Sequence, residues 1–115
     1  MTEAQLLKSV LEGLAYFPGV YWRVNAGAVA GEYTNKAGNT KKRFIRFNGM
    51  PGVSDIIGIH ISGKFVAIEL KVGTNKPTQK QQDFIDMINY NGGIGIIAWS
   101  LEEVQSAFKN RGLIK

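Results

Sequence analysis

Apolar positions along this chain switch between a helical and a strand period, and the switches mark its elements. Leu6, Leu7, Val10, Leu11 and Leu14 recur at helical spacing and predict a first helix that stops before Pro18-Gly19. Thr2-Glu3-Ala4-Gln5 ahead of them has capping-box spacing. Val20-Tyr21-Trp22-Arg23-Val24 and Arg43-Phe44-Ile45-Arg46-Phe47 read as strands. The polar, glycine-punctuated residues 31–40 between them read as the long loop of a hairpin joining those strands. Two apolar runs follow, Ile56-Ile57-Gly58-Ile59 and Phe65-Val66-Ala67-Ile68-Glu69-Leu70-Lys71-Val72, joined by a turn within Ser62-Gly63-Lys64. Thr78-Gln79-Lys80-Gln81 caps a helix whose core stripe is Phe84, Ile85 and Ile88. Gly93-Ile94-Gly95-Ile96-Ile97-Ala98-Trp99 is a short buried strand, and Ser100 with Glu103 caps a last helix bearing Val104 and Phe108. The expected order is α-β-β-β-β-α-β-α, an α/β domain over residues 1–115 with helices against a mixed sheet.

Three charged residues interrupt the apolar runs in a patterned way. Side chains on a strand alternate faces, so Glu69 and Lys71 share one face while Ile68, Leu70 and Val72 take the other. A carboxylate and an ammonium in so apolar a run are costly to bury unless paired with each other, a metal or a substrate. Asp55 supplies a second acid at the start of the preceding run. Two carboxylates plus a backbone carbonyl suit Mg²⁺ or Mn²⁺, while the absence of cysteine and the single His60 argue against structural zinc. Turn parity tests the idea. A three-residue loop sets Ile61 opposite Phe65, Ile57 opposite Glu69 and Asp55 opposite Lys71, which gathers all three charges on one face; a plain Ser62-Gly63 turn separates them. An odd-length loop or a bulge is therefore expected.

Composition narrows the partner more than the chemistry. At 115 residues and 44% hydrophobic content, the chain suits one domain with a modest core. No apolar stretch approaches the roughly 18 residues of a membrane span, the amino terminus lacks the basic and apolar regions of a secretory leader, and cytoplasm is the default expectation. The formal charge of +5 suits a polyanion, although excess lysine also serves solubility. Lys36, Lys41, Lys42, Arg43 and Arg46 fall in one stretch without an acid, where they could neutralise phosphates while Tyr33 stacks on a base. The plainer alternative is a solvated charge run.

Pro51-Gly52-Val53-Ser54-Asp55, Glu69-Leu70-Lys71, Gln81 with Phe84 three residues on, and Gly92-Gly93 before the last strand together resemble the virus-type replication-repair nuclease (VRR-NUC) domain of the PD-(D/E)XK superfamily. The similarity spans most of the chain. Its departure is small: Gly52-Val53-Ser54 intervenes between Pro51 and Asp55 where the superfamily name suggests adjacency. The resemblance implies a restriction-endonuclease-like core and a metal-dependent DNA endonuclease. It further implies selectivity for branched DNA such as four-way junctions, in replication, recombination or repair, and a homodimer offering paired sites in a phage or prophage setting. It assigns the metal to Asp55, Glu69 and the Leu70 carbonyl, and the attacking water to Lys71. It brings Gln81 to the water or a phosphate, Glu3 toward the metal shell, and Arg23 and Asn25 near the site. Lys76 and Lys80 are candidate phosphate contacts at the start of the second helix.

Several of these residues carry an equally simple structural role. Glu3 can compensate the helix dipole, worth about 0.3–1 kcal/mol. Gln81 can bond back to the Thr78 backbone as a capping box. Arg23 and Asn25 can form a cross-strand pair, and Trp22 and Trp99 are expected in the core. His60, with no second histidine or cysteine beside it, is expected to be structural or on the surface. Two competing accounts of the whole chain remain: a non-catalytic nucleic-acid-binding domain on a nuclease-like scaffold, and a sheet in which Glu69 and Lys71 are merely a structural ion pair.

Overall fold

The computed structural model describes residues 1–24, 28–34, 40–46 and 51–115. Its elements run α1 (Glu3–Leu14), β1 (Val20–Arg23), β2 (Ala28–Thr34), β3 (Thr40–Arg46), β4 (Ile56–Ile59), β5 (Phe65–Leu70), α2 (Gln79–Tyr90), β6 (Ile94–Ala98) and α3 (Leu101–Asn110). Strands β1, β4, β5 and β6 lie in that order in a four-stranded mixed sheet, antiparallel except for the parallel β5–β6 pair. Strands β2 and β3 pair with each other in a separate antiparallel ladder.

The helices begin where side chains satisfy free backbone donors. At α1 the Gln5 amide donates to Thr2 Oγ1 at 3.1 Å, and the Thr2 amide donates to Gln5 Oε1 at 2.8 Å. At α3 the Glu103 amide donates to Ser100 Oγ at 3.1 Å, while the Glu103 carboxylate reaches back to the Trp99 amide at 2.8 Å. Helical spacing then buries Leu6, Val10 and Leu14 against Ile56, Val66, Ile68 and Leu70 of the sheet and Val104 and Phe108 of α3. On the other face, Phe84 and Ile85 of α2 cover Ala67, with Ile57, Ile88 and Ile97 around them. Strand β5 is thus buried on both faces, as its near-continuous apolar run requires. Each aliphatic side chain so enclosed contributes about 1.5–3 kcal/mol.

The structure corrects four expectations. Five strands rather than four precede α2: β2 lies in a stretch expected to be largely loop, because local pairing of Ala28–Thr34 with Thr40–Arg46 overrides weak propensity. Strand β1 pairs with β4, Val20 opposite Ile59 and Arg23 opposite Ile56, rather than with residues 43–47. With β2 and β3 satisfying each other's ladder, the edge of β4 is what β1 finds. The β4–β5 loop is odd, as parity demands, but lies one residue earlier: the His60 amide donates to the Lys64 carbonyl at 3.0 Å, leaving Ile61, Ser62 and Gly63 as the turn. Finally, Trp22 and Trp99 are 43% and 37% exposed, so neither belongs to the core.

Candidate active site

The corrected register brings the two acids directly together. Ile56 pairs with Ile68 across β4 and β5, and one step further sets Asp55 opposite Glu69 instead of Lys71. The Val24 amide donates to the Asp55 carbonyl at 2.8 Å, which extends the β1–β4 ladder and fixes the Asp55 backbone. Its side chain is fixed as well, because Oδ2 accepts from the Leu70 amide at 2.9 Å. The Lys71 amide donates to Ala98 of β6 at 3.0 Å, so strand alternation turns both backbone groups of Leu70 toward the β4 side, where Asp55 stands.

Glu69 is 2% exposed, with Lys71 Nζ 3.6 Å from its Oε1. Its other oxygen, Oε2, is buried with no hydrogen-bond partner. Burial pushes the Glu69 carboxyl up to about 7, and the neighbouring Asp55 charge pushes the same way against Lys71 and a backbone hydrogen bond from Asp55. Burial also raises Asp55, assisted by the charge of Glu3 and opposed by the Leu70 amide, Lys71 and Arg23. Two carboxylates therefore share a poorly solvated position, and Lys71, Arg23 and the Leu70 amide offset their charge only in part.

That deficit is what a hard divalent cation relieves. The donors fit Mg²⁺ or Mn²⁺: two carboxylates, one with an unpartnered buried oxygen, and a main-chain carbonyl turned to the same side. Among the described residues no group of three His, Cys, Asp or Glu side chains converges on a metal position. Such a donor set could supply only part of a Mg²⁺ shell, an ion that usually keeps several waters.

Other candidates fall into three groups. Glu3 and Arg23 join Asp55, together with Ala4, Leu7 and Leu70, in lining a cleft of about 320 Å³. Glu3 stands in the first turn of α1, and its charge acts on Asp55. Gln81 takes the capping role, its Oε1 accepting from the Thr78 amide at 2.9 Å. The Pro-Gly element nevertheless holds this end of α2: Gly52, at φ +75°, lies against the Lys80 carbonyl, and a Cβ there would come within 2.8 Å of the Gln81 nitrogen. Lys80 in that first turn and Lys76 before it are exposed. The third group stands apart. Lys41, Lys42, Arg43 and Arg46 lie on β3, opposite Tyr33, Glu32, Gly31 and Ala28 in register. Among the described residues this ladder contacts no other helix or strand. Asn25 and Lys36 lie outside the described residues.

Ser54, to which its sequence position assigns no role, has its Oγ fully buried without a partner beside Asp55. The available signal was a small polar residue immediately before an acid at the entrance to a buried strand. Neither the protein-family models nor the curated proteins contain a match to this chain.

Proposed function

We propose that this chain is a divalent-metal-dependent DNA endonuclease with a restriction-endonuclease-like core, as its resemblance to VRR-NUC domains implies. The observation that carries the proposal is the buried Glu69 carboxylate, one oxygen unpartnered, set across the strand pair from Asp55 and beside Lys71. A domain that only binds DNA gains nothing from two acids at such a position, because they repel phosphate. A structural Glu69–Lys71 pair leaves Oε2 unexplained.

Asp55, Glu69 and the Leu70 carbonyl would hold the ion. When bound, Mg²⁺ or Mn²⁺ supplies Lewis-acid polarisation of a phosphodiester and lowers the pKa of water. Lys71 places its Nζ 3.6 Å from Glu69, where it would orient the attacking water as an ammonium or take its proton as the neutral amine. Arg23, on the cleft wall beside Asp55, offers a phosphate contact that balances the acids. The four basic residues of β3 add sequence-independent attraction for the backbone of DNA. Selectivity for branched substrates and a two-fold dimer are further parts of the proposal that rest on the resemblance.

The test is cleavage of labelled linear, nicked, flap and four-way-junction DNA with Mg²⁺, Mn²⁺ or chelator, comparing wild type with Lys71→Ala. Metal-dependent cutting that disappears in the variant is the expected result. Binding without cutting under either metal would instead identify a non-catalytic nucleic-acid-binding domain.

A further inference from the structure

Trp99 is an aromatic ring that the core does not use. It follows β6 directly, and because Leu70 pairs with Ala98 and the Lys71 amide donates to Ala98, the register sets Trp99 opposite Lys71. The residue is held at two points. Its backbone amide donates to the Glu103 carboxylate at 2.8 Å, and its indole Nε1 donates to the Asn75 carbonyl at 3.0 Å. Asn75 belongs to the loop that leaves Lys71, and its own amide is tied back to the Val72 carbonyl at 3.1 Å. A ring anchored in this way loses little freedom when something packs on it, yet 37% of the residue remains in solvent. Exposed lysines accompany it: Lys76 follows Asn75, and Lys80 stands in the first turn of α2.

An exposed, immobilised indole whose anchor Asn75 is followed by an exposed lysine, in the loop leaving an acid–lysine site, has the composition of a single-strand platform, where bases stack on aromatic faces and cations meet the phosphates. We propose that Trp99 stacks an unpaired nucleobase of the DNA strand that enters the Asp55–Glu69–Lys71 site. Where that strand is cut rests on the nuclease reading; the stacking does not. Bases paired in a duplex cannot offer a face to the indole, so the platform favours DNA with unpaired nucleotides at the site, as at a flap or a junction branch.

The experiment uses Trp22→Phe, which leaves Trp99 as the sole tryptophan, titrated in chelator with a short oligothymidine and with a duplex of equal length. Oligothymidine is expected to quench Trp99 emission. Trp99→Ala is expected to weaken oligothymidine binding about 5- to 100-fold, while Trp99→Phe, which keeps a ring but no indole N–H, retains most of the affinity. Duplex binding should be insensitive to both changes. An unquenched Trp99, equal affinity in Trp99→Ala, or equal losses in the Phe and Ala variants would overturn the platform, the last by showing that the tether to Asn75 is what matters. The quenching result stands even if Trp99→Ala fails to fold. Cleavage assays separate the two proposals: metal-dependent cutting with an unquenched Trp99 removes the platform alone, and Trp99-dependent binding without cutting removes the nuclease alone.

Discussion

The hairpin of β4 and β5 buries a titratable side chain at each end, and the two are treated in opposite ways. His60, 6% exposed at the loop end, has both ring nitrogens satisfied: Nε2 lies 2.9 Å from the Leu113 carbonyl, and Nδ1 lies 3.1 Å from the Ser62 amide and 2.8 Å from the Ser62 hydroxyl. A carbonyl only accepts, so Nε2 carries the proton and Nδ1 receives the Ser62 amide. The ring thereby pins the segment after α3 to the β4–β5 loop. Glu69, as deeply buried at the other end, keeps an oxygen without a partner and a second acid across from it. Burial alone does not distinguish a structural group from a functional one. Whether its hydrogen-bonding capacity is filled from within the chain does.

Breaking the reactive end should produce the largest effect. Lys71→Ala is expected to reduce metal-dependent cleavage by about 10²- to 10⁴-fold, the usual range for losing a positioned proton-transfer group. Single-turnover rates measure this, and the fold should survive because Lys71 has no other ion pair among the described residues. Breaking the satisfied end should do the reverse. His60→Ala strands the Leu113 carbonyl and the Ser62 amide, and urea denaturation should show a loss of about 2–4 kcal/mol with little change in cleavage per folded molecule.

Glu69→Gln sharpens the contrast because it should increase stability. The folded-state value of Glu69, about 7, lies above its ordinary 4.5, so the fold prefers the protonated acid. That contribution is complete below about pH 4.5 and is lost as pH rises through about 7. In chelator the wild type should therefore lose stability across this window while Glu69→Gln does not, leaving the variant ahead by roughly 1–3 kcal/mol near pH 8. The smallest effect tests the capping role of Thr78. Thr78→Ala should cost about 1 kcal/mol in thermal unfolding, through the Gln81 amide it caps at 3.2 Å.

Local chemistry was legible in the sequence, and long-range pairing was not. Thr2 with Gln5, Thr78 with Gln81 and Ser100 announced the three helices because a cap is a short-range hydrogen bond. Parity placed Asp55 and Glu69 on one face because alternation survives a two-residue shift in register, and that is the shift the structure shows. The partner of β1 is not legible because nothing within Val20–Arg23 encodes whether β3 or β4 will lie beside it. Strand β2 is not legible because Gly31 and the polar residues after it lack the alternation of a half-buried strand. The unpartnered Glu69 oxygen, the buried Ser54 hydroxyl and the exposure of Trp99 depend on what surrounds each group, so spacing alone could not reveal them.

In the proposed site the unfilled capacity of Glu69 belongs to a cation. Titrating wild type and Glu69→Gln with Mn²⁺ near pH 8 by calorimetry, without DNA, tests it most directly. Wild type is expected to bind Mn²⁺, and the variant to bind it at least about 10-fold more weakly. Equal affinity in the two proteins, or no binding by wild type at millimolar Mn²⁺, would contradict it.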